Sequence, residues 1–172
     1  MTATTRTAAR TTGLDVGLLI LRAAPGLLLA VRGAHELLGW FGGGTFAADV
    51  HYYGSLGYNP AKLWAIVSGI TEMGGGLLLA LGLLTPLATA AVMGVMLNAV
   101  VAGEIPFGYL AVGGDLVSIV GTSAIGIAFT GPGMISLDRG RKWLPGKLNP
   151  TLVSLVLGLG LGGIVLIVRA IK

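Results

Sequence analysis

Three long stretches of this chain contain no charged residue, and they constrain its fold more than any other feature. They are residues 73–103, 116–137 and 148–168. About 20 residues of helix, at 1.5 Å each, cross the roughly 30 Å hydrocarbon core of a bilayer, so each stretch is long enough to span it. Charged residues make up only 10% of the whole chain, whereas soluble domains need about a quarter. A water-soluble fold is therefore excluded, and the sequence predicts a polytopic membrane protein.

Helix-breaking residues supply the remaining boundaries. Thr85-Pro86 interrupts the run 73–103, and because proline ends or kinks a helix, the run divides into two helices at a tight turn over 84–87. The sequence therefore predicts an all-α bundle of five transmembrane helices. Their approximate spans are Val16–Ala34, Lys62–Leu84, the rest of the divided run to residue 103, 116–137 and 148–168.

The basic residues predict how the bundle is oriented. Six Lys and Arg residues precede the first helix or lie between the fourth and fifth helices, against three on the opposite side. Since cytoplasmic loops carry the excess of basic residues, we expect the N-terminus inside and the C-terminus outside. We divide the chain into a disordered tail (1–12), a membrane bundle (13–138), a basic cytoplasmic loop (139–150) and an additional transmembrane helix (151–172).

Composition limits the chemistry of the chain. It has no cysteine, which excludes disulfides, thiolate zinc sites and iron–sulfur clusters held by its own side chains. His35 and His51 are the only histidines, and we predict no metal site and no covalently bound cofactor. The net charge of +4 is spread over termini and loops, so it controls topology and does not indicate a nucleic-acid partner.

Three ionisable residues in or beside the predicted spans are the candidates for function: Arg22, Glu72 and Asp115. A charge at the bilayer centre costs roughly 2.5 to 3.5 kcal/mol, so such side chains face the bundle interior and pair with one another or line a polar cavity. Counted from opposite membrane faces, Arg22 and Glu72 lie at depths that suggest an ion pair. Two interpretations remain open for Glu72: a structural partner of Arg22, or a proton-handling or ligand-binding carboxylate beside a cavity.

Two further patterns concern helix ends and helix surfaces. Gly158 and Gly162 form a GxxxG motif, which serves either helix packing within the bundle or docking of a partner subunit. The aromatic residues near the first long loop are typical of a belt at the membrane interface. They are Trp40, Phe41, Tyr52, Tyr53, Tyr58 and Trp64.

Four glycine-rich segments, together with Leu21-Arg22, resemble the DoxX family of small bacterial membrane proteins over about residues 14–138. Arg32 and Glu36 depart from the family pattern, standing where a His and a Lys are usual. The four segments are Arg32–Gly43, Tyr53–Gly57, Glu72–Thr85 and Gly131–Asp138.

The resemblance implies a four-helix membrane core, here with a fifth helix added. It also implies that Arg22 and Glu72 match the family's intramembrane Arg and Glu, and that Asp115 matches an acidic position in the fourth helix. DoxX-like proteins include a subunit of a thiosulfate:quinone oxidoreductase and proteins of membrane complexes that handle oxidative or thiol stress.

Two hypotheses about function follow. In the first, the chain is the membrane subunit of a quinone-linked or oxidative-stress-related oxidoreductase in a bacterial plasma membrane, with no redox centre of its own. The bundle would hold a quinone with its head near Glu72 or Asp115, and other membrane subunits would carry the redox centre. In the second, the chain is a non-catalytic scaffold, accessory subunit or lipid-binding module.

Overall fold

The computed structural model of the protein describes residues 3–42, 44–104, 114–141 and 148–171. Within these ranges the chain forms helices and no β-strand. A short 3₁₀ helix (Trp40–Gly42) follows the first α-helix, and a π-helical segment (Ala99–Glu104) continues the fourth. The α-helices are α1 (Ala3–Leu38), α2 (Phe46–Ser55), α3 (Ala61–Leu81), α4 (Thr85–Asn98), α5 (Gly114–Thr130) and α6 (Pro150–Ala170).

Four of these helices are long and apolar enough to cross a membrane. They are α1 from Thr12 onward, α3, α4 with its π-helical continuation to Gly103, and α6. The fifth, α5, is an apolar helix of 17 residues. The predicted fold class is confirmed: the protein is an all-α polytopic membrane bundle, with a four-helix core and an additional C-terminal helix.

Two helix boundaries, the start of α1 and the end of α5, differ from the prediction. Helix α1 begins at Ala3 and so includes most of the predicted disordered tail (1–12), because no proline interrupts the chain between that segment and the span. Helix α5 ends at Thr130 and not at 137, since Pro132 follows and Gly131 adopts a φ of +78°. Residues 142–147, half of the predicted basic loop (139–150), lie outside the described residues.

The long loop after α1 contains a helix that the sequence analysis missed. Thr45 caps α2 by accepting a hydrogen bond from the backbone N–H of Ala48 through its hydroxyl, at 3.3 Å. Helix α2 packs mainly against α3. It lies at the end of the bundle formed by residues 39–42 and 44–60, here called the loop end. The opposite end, formed by the 82–84 turn and residues 131–141, is called the turn end.

Glycines set the register between the antiparallel helices α1 and α3. A Cβ atom on Gly76 would lie 2.5 Å from the Gly26 carbonyl oxygen, and one on Gly33 would lie 2.6 Å from the Gly69 carbonyl oxygen. Neither position accepts a side chain, so the two backbones approach closely along their length.

Helix α6 packs against α4 through a second glycine contact. A Cβ atom on Gly162 would lie 3.0 Å from the Gly94 Cα, and one on Gly158 would lie 2.8 Å from the Ala90 carbonyl oxygen. Helix α3 packs on another part of α4, where Gly75 faces Ala91. Within the described residues α3 and α6 hardly touch each other, so a groove floored by α4 runs between them.

Candidate functional site

Arg22 lies at the turn end and holds backbone segments together. Its guanidinium donates hydrogen bonds to the carbonyl oxygens of Ala80, Ile135 and Pro132, the last at 3.1 Å. The residue is 1% exposed. The predicted pairing of Arg22 with Glu72 is therefore wrong, because the register of α1 against α3 places Arg22 beside Gly82.

Asp138 completes this turn-end cluster. One carboxylate oxygen accepts from the Leu84 N–H at 3.0 Å, and the other accepts from the Thr85 N–H at 2.7 Å and the Thr85 hydroxyl at 2.6 Å. These contacts cap the N-terminus of α4, where a negative charge is favourable. The Gly131–Asp138 motif thus has an evident structural role: it returns the chain after α5 to the turn between α3 and α4.

Glu72 meets a different arginine. Arg32 Nε lies 3.5 Å from Glu72 Oε2 and 3.5 Å from Glu36 Oε1. Arg32 is ten positions beyond Arg22, which is about 15 Å along a helix. Since Gly33 packs against Met73, α1 brings Arg32 level with Glu72, in the half of the bundle nearer the loop end.

Arg32, Glu36 and Glu72 form a second cluster, in which some carboxylate oxygens lack a hydrogen-bond partner within the described part of the chain. Glu72 is only 4% exposed, and its Oε2 atom is buried without a hydrogen-bond partner among the described residues. The Oε2 atom of Glu36 is in the same situation. Two carboxylates thus face one guanidinium, and a buried acceptor without a donor costs about 1 to 3 kcal/mol or more. Such a group points to a ligand or water that donates to it.

Glu72 and Arg32 line a cavity of about 440 Å³. The part of the cavity beside these two residues is called its polar end. The cavity occupies the groove between α3, α4 and α6, and α2 covers it at the loop end. Apart from its polar end its walls are mainly apolar, and Val67, Leu87 and Leu161 on its margin are exposed on the bundle surface. The cavity is therefore amphipathic and open toward the surrounding lipid. Other residues that line it include Tyr53, Ser68, Thr71, Ala91, Asn98, Leu157, Gly158 and Val165.

Aromatic rings form the loop-end wall of the cavity. The Tyr53 and Tyr58 rings lie 5.6 Å apart, and the Tyr58 and Trp64 rings lie 5.9 Å apart. Tyr58 donates its hydroxyl to Asn98 at 3.0 Å, and Arg169 lies over the Tyr58 ring at 5.5 Å. These three aromatic residues were predicted to belong to an interfacial belt, but they pack inward and stiffen the cavity wall.

Tyr53 adds a neutral hydroxyl to the polar end. Burial raises the pKa of its phenol, the nearby Glu36 and Glu72 carboxylates raise it further, and Ser68 is its hydrogen-bonding neighbour. The phenol therefore stays protonated throughout the physiological pH range and can both donate and accept a hydrogen bond.

The other predicted site residues lie apart from this cluster or serve packing. Asp115 is exposed in the first turn of α5, where its Oδ1 accepts from the Leu116 N–H at 2.8 Å. Gly158 and Gly162 are buried against α4 inside the chain, so they serve helix packing and are not available to a docking partner. In the part of the chain that the structure describes, no group of three His, Cys, Asp or Glu side chains could hold a metal ion.

The described fold and cavity define a class: a polytopic helical membrane protein with an amphipathic cavity between its helices. Comparison with known families matches residues 17–104 to DoxX. Because the match covers half of the chain and includes α1 through α4 from Gly17 onward, the protein belongs to the DoxX family. No curated protein and no solved structure matched the chain.

The sequence predicts Glu72 as a candidate, in one interpretation beside a cavity, but it does not predict the partners of Glu72 or the helices that form the cavity. Arg32 and Glu36 are spaced i, i+4 on one helix, which is the spacing of an ion pair on a shared face. That spacing was the available signal for the cluster. No such signal predicts that Tyr53 lies near Glu72, because its position depends on helix α2, which the sequence analysis did not predict.

Proposed function

We propose that this DoxX-family protein is a quinone-binding membrane subunit of an oxidoreductase complex in a bacterial plasma membrane. The observation that carries the proposal is the amphipathic cavity, which combines a buried, incompletely paired carboxylate with an apolar groove open to lipid. Ligand cavities typically measure 300 to 1,000 Å³ and combine apolar walls with a few polar groups, and this one fits that description.

The residues that line the cavity suit both parts of an isoprenoid quinone, its polar head and its apolar chain. The polar head would lie between Arg32, Glu72 and Tyr53, beside the aromatic wall. The isoprenoid chain would follow the apolar groove past Leu161 and leave between α3 and α6, where the margin of the cavity is exposed. A flat ring stacked on aromatic side chains and an apolar chain in lipid are both favourable arrangements.

Each polar residue has a distinct task in this proposal. Arg32 donates hydrogen bonds and supplies positive charge. Glu72 accepts hydrogen bonds and can hold a proton. Tyr53 can donate or accept a hydrogen bond. The quinone, when bound, supplies two-electron redox chemistry. Since the chain has no cysteine, we place the redox centre that exchanges those electrons on another subunit.

Binding can be measured by the quenching of tryptophan fluorescence, because Trp64 lies in the cavity wall. We expect a benzoquinone with a decyl chain to quench the protein in detergent saturably, and Trp64→Phe to remove most of that signal. Val67→Phe should fill the groove and weaken binding at least fivefold. Ile70→Phe is the matched control, since Ile70 is exposed on the same helix but does not line the cavity.

Absence of saturable quenching, or equal binding by the two Phe variants, would contradict the proposal. Purification of a complex that lacks both quinone and a redox subunit would also contradict it. The non-catalytic scaffold or accessory subunit would then be the better account of the fold.

A further inference from the structure

The polar end of the cavity contains a buried acceptor that lacks a donor in the chain as described. Glu72 Oε2 is buried and has no hydrogen-bond donor among the described residues. The Nε atom of Arg32, the nearest cation, lies 3.5 Å from an oxygen of each of two carboxylates, Glu36 and Glu72. Both distances are too long for a well-formed hydrogen bond, so the shared guanidinium leaves Glu72 with acceptor capacity.

Three other polar side chains on the wall use their donors elsewhere. The Thr71 hydroxyl donates to the Val67 carbonyl at 2.6 Å, and the Tyr58 hydroxyl donates to Asn98. The Asn98 amide donates to the carbonyls of Gly94 and Gly162 at 2.9 and 3.0 Å. Since Glu72 Oε2 has no donor among the described residues, a ligand hydroxyl placed beside it would supply the missing hydrogen bond.

The two redox forms of a quinone differ in this property. The oxidised form presents only carbonyl oxygens, which accept hydrogen bonds, whereas the reduced quinol presents two hydroxyl groups that donate. A carbonyl placed at the ionised Glu72 carboxylate would set two acceptors against each other, while a quinol hydroxyl would form a charge-assisted hydrogen bond with it.

From this arrangement we infer that the cavity is selective for the reduced quinol over the oxidised quinone, with Glu72 as the residue that determines the preference. The inference rests on the proposed function and adds to it the redox form that the site binds. It makes the protein a site where quinol is held before it is oxidised or after it has been formed.

The test compares the affinities of the decyl-chain benzoquinone and its quinol, measured anaerobically by calorimetry on the full-length protein in detergent. We expect the quinol to bind about tenfold or more tightly, because a hydrogen bond to a charged group contributes about that much. Glu72→Gln should reduce the ratio to within about threefold of one, since an amide can turn either its donor or its acceptor to the ligand.

Asp115→Asn is the matched control, because it makes the same carboxylate-to-amide change on an exposed residue of α5 away from the cavity. It should keep the wild-type ratio. Equal affinities in the wild-type protein, or tighter binding of the quinone, would overturn the inference while leaving the proposed function intact. Binding of neither form would overturn both, and the wild-type ratio decides the question even if Glu72→Gln does not fold.

Discussion

The Arg22 guanidinium joins parts of the chain that are far apart in sequence. It lies on α1, yet its hydrogen bonds reach the end of α3 and the segment after α5. A guanidinium has five N–H donors in a planar fork, which suits it to several carbonyl oxygens at once. Its role at the turn end is architectural, whereas the polar groups that face the cavity belong to the Arg32 and Glu72 cluster.

Arg22→Lys should destabilise the protein although it keeps the positive charge. An ammonium group is a single point of donation and cannot serve three carbonyls from two segments, and each buried acceptor left unpaired costs about 1 to 3 kcal/mol. We expect a clearly lower melting temperature in detergent. Arg139→Lys is the control, because Arg139 is exposed. Equal melting of the two variants would contradict the role assigned to Arg22.

The error in pairing Arg22 with Glu72 has a physical origin. The distance of a residue along its helix from the nearest flanking charges gives its depth in the membrane only to within a few turns. The actual register comes from the contacts of Gly26 and Gly33 with α3. Those glycines are visible in the sequence, but so are many others that face open space, and spacing alone does not say which ones meet.

The α1–α3 contact illustrates how two glycines of one helix differ. A Cβ atom on Gly76 would lie 2.5 Å from the Gly26 carbonyl oxygen and 2.6 Å from the Ala30 nitrogen, while one on Gly74 would meet nothing within 4 Å. Gly76→Ala must therefore push the two backbones apart, and we expect a loss of about 1 to 3 kcal/mol, as for overpacked cores.

Gly74→Ala should be neutral or slightly stabilising, because alanine is the better helix former. Chemical denaturation of both variants in mixed micelles would measure the difference. A loss of stability in Gly74→Ala as large as in Gly76→Ala would show that the effect does not come from helix packing.

The sequence predicted the helices far better than their arrangement. The absence of charges over about 20 residues is a strong local signal, and all five predicted spans appear as helices. Helix α2 escaped prediction because its signals, the Thr45 cap and ten residues of mixed polarity, are weak beside those of a transmembrane span. The end of α5 was placed too late because apolar composition continues past Gly131 and Pro132.

The position and walls of the cavity could not be predicted, because the cavity belongs to no single helix. It exists where α3 and α6 lean on different parts of α4 and do not close on each other, and where the small residues Ala91 and Gly94 keep the floor of the groove low. Each helix pair is understandable from its glycines. The space between three of them follows only from their combined geometry.

The orientation of the whole bundle in the membrane can be tested directly, because the chain contains no cysteine. Lys62 and Arg139 are both exposed and lie on opposite sides of the α3 span. From the distribution of basic residues, we expect Lys62→Cys to react with a membrane-impermeant maleimide in intact cells. Arg139→Cys should react only after the membrane is permeabilised. Reversed labelling would place the loop end, and with it the aromatic wall of the cavity, on the cytoplasmic side. A redox partner of the proposed quinone site would then be sought among cytoplasmic subunits and not among those exposed outside.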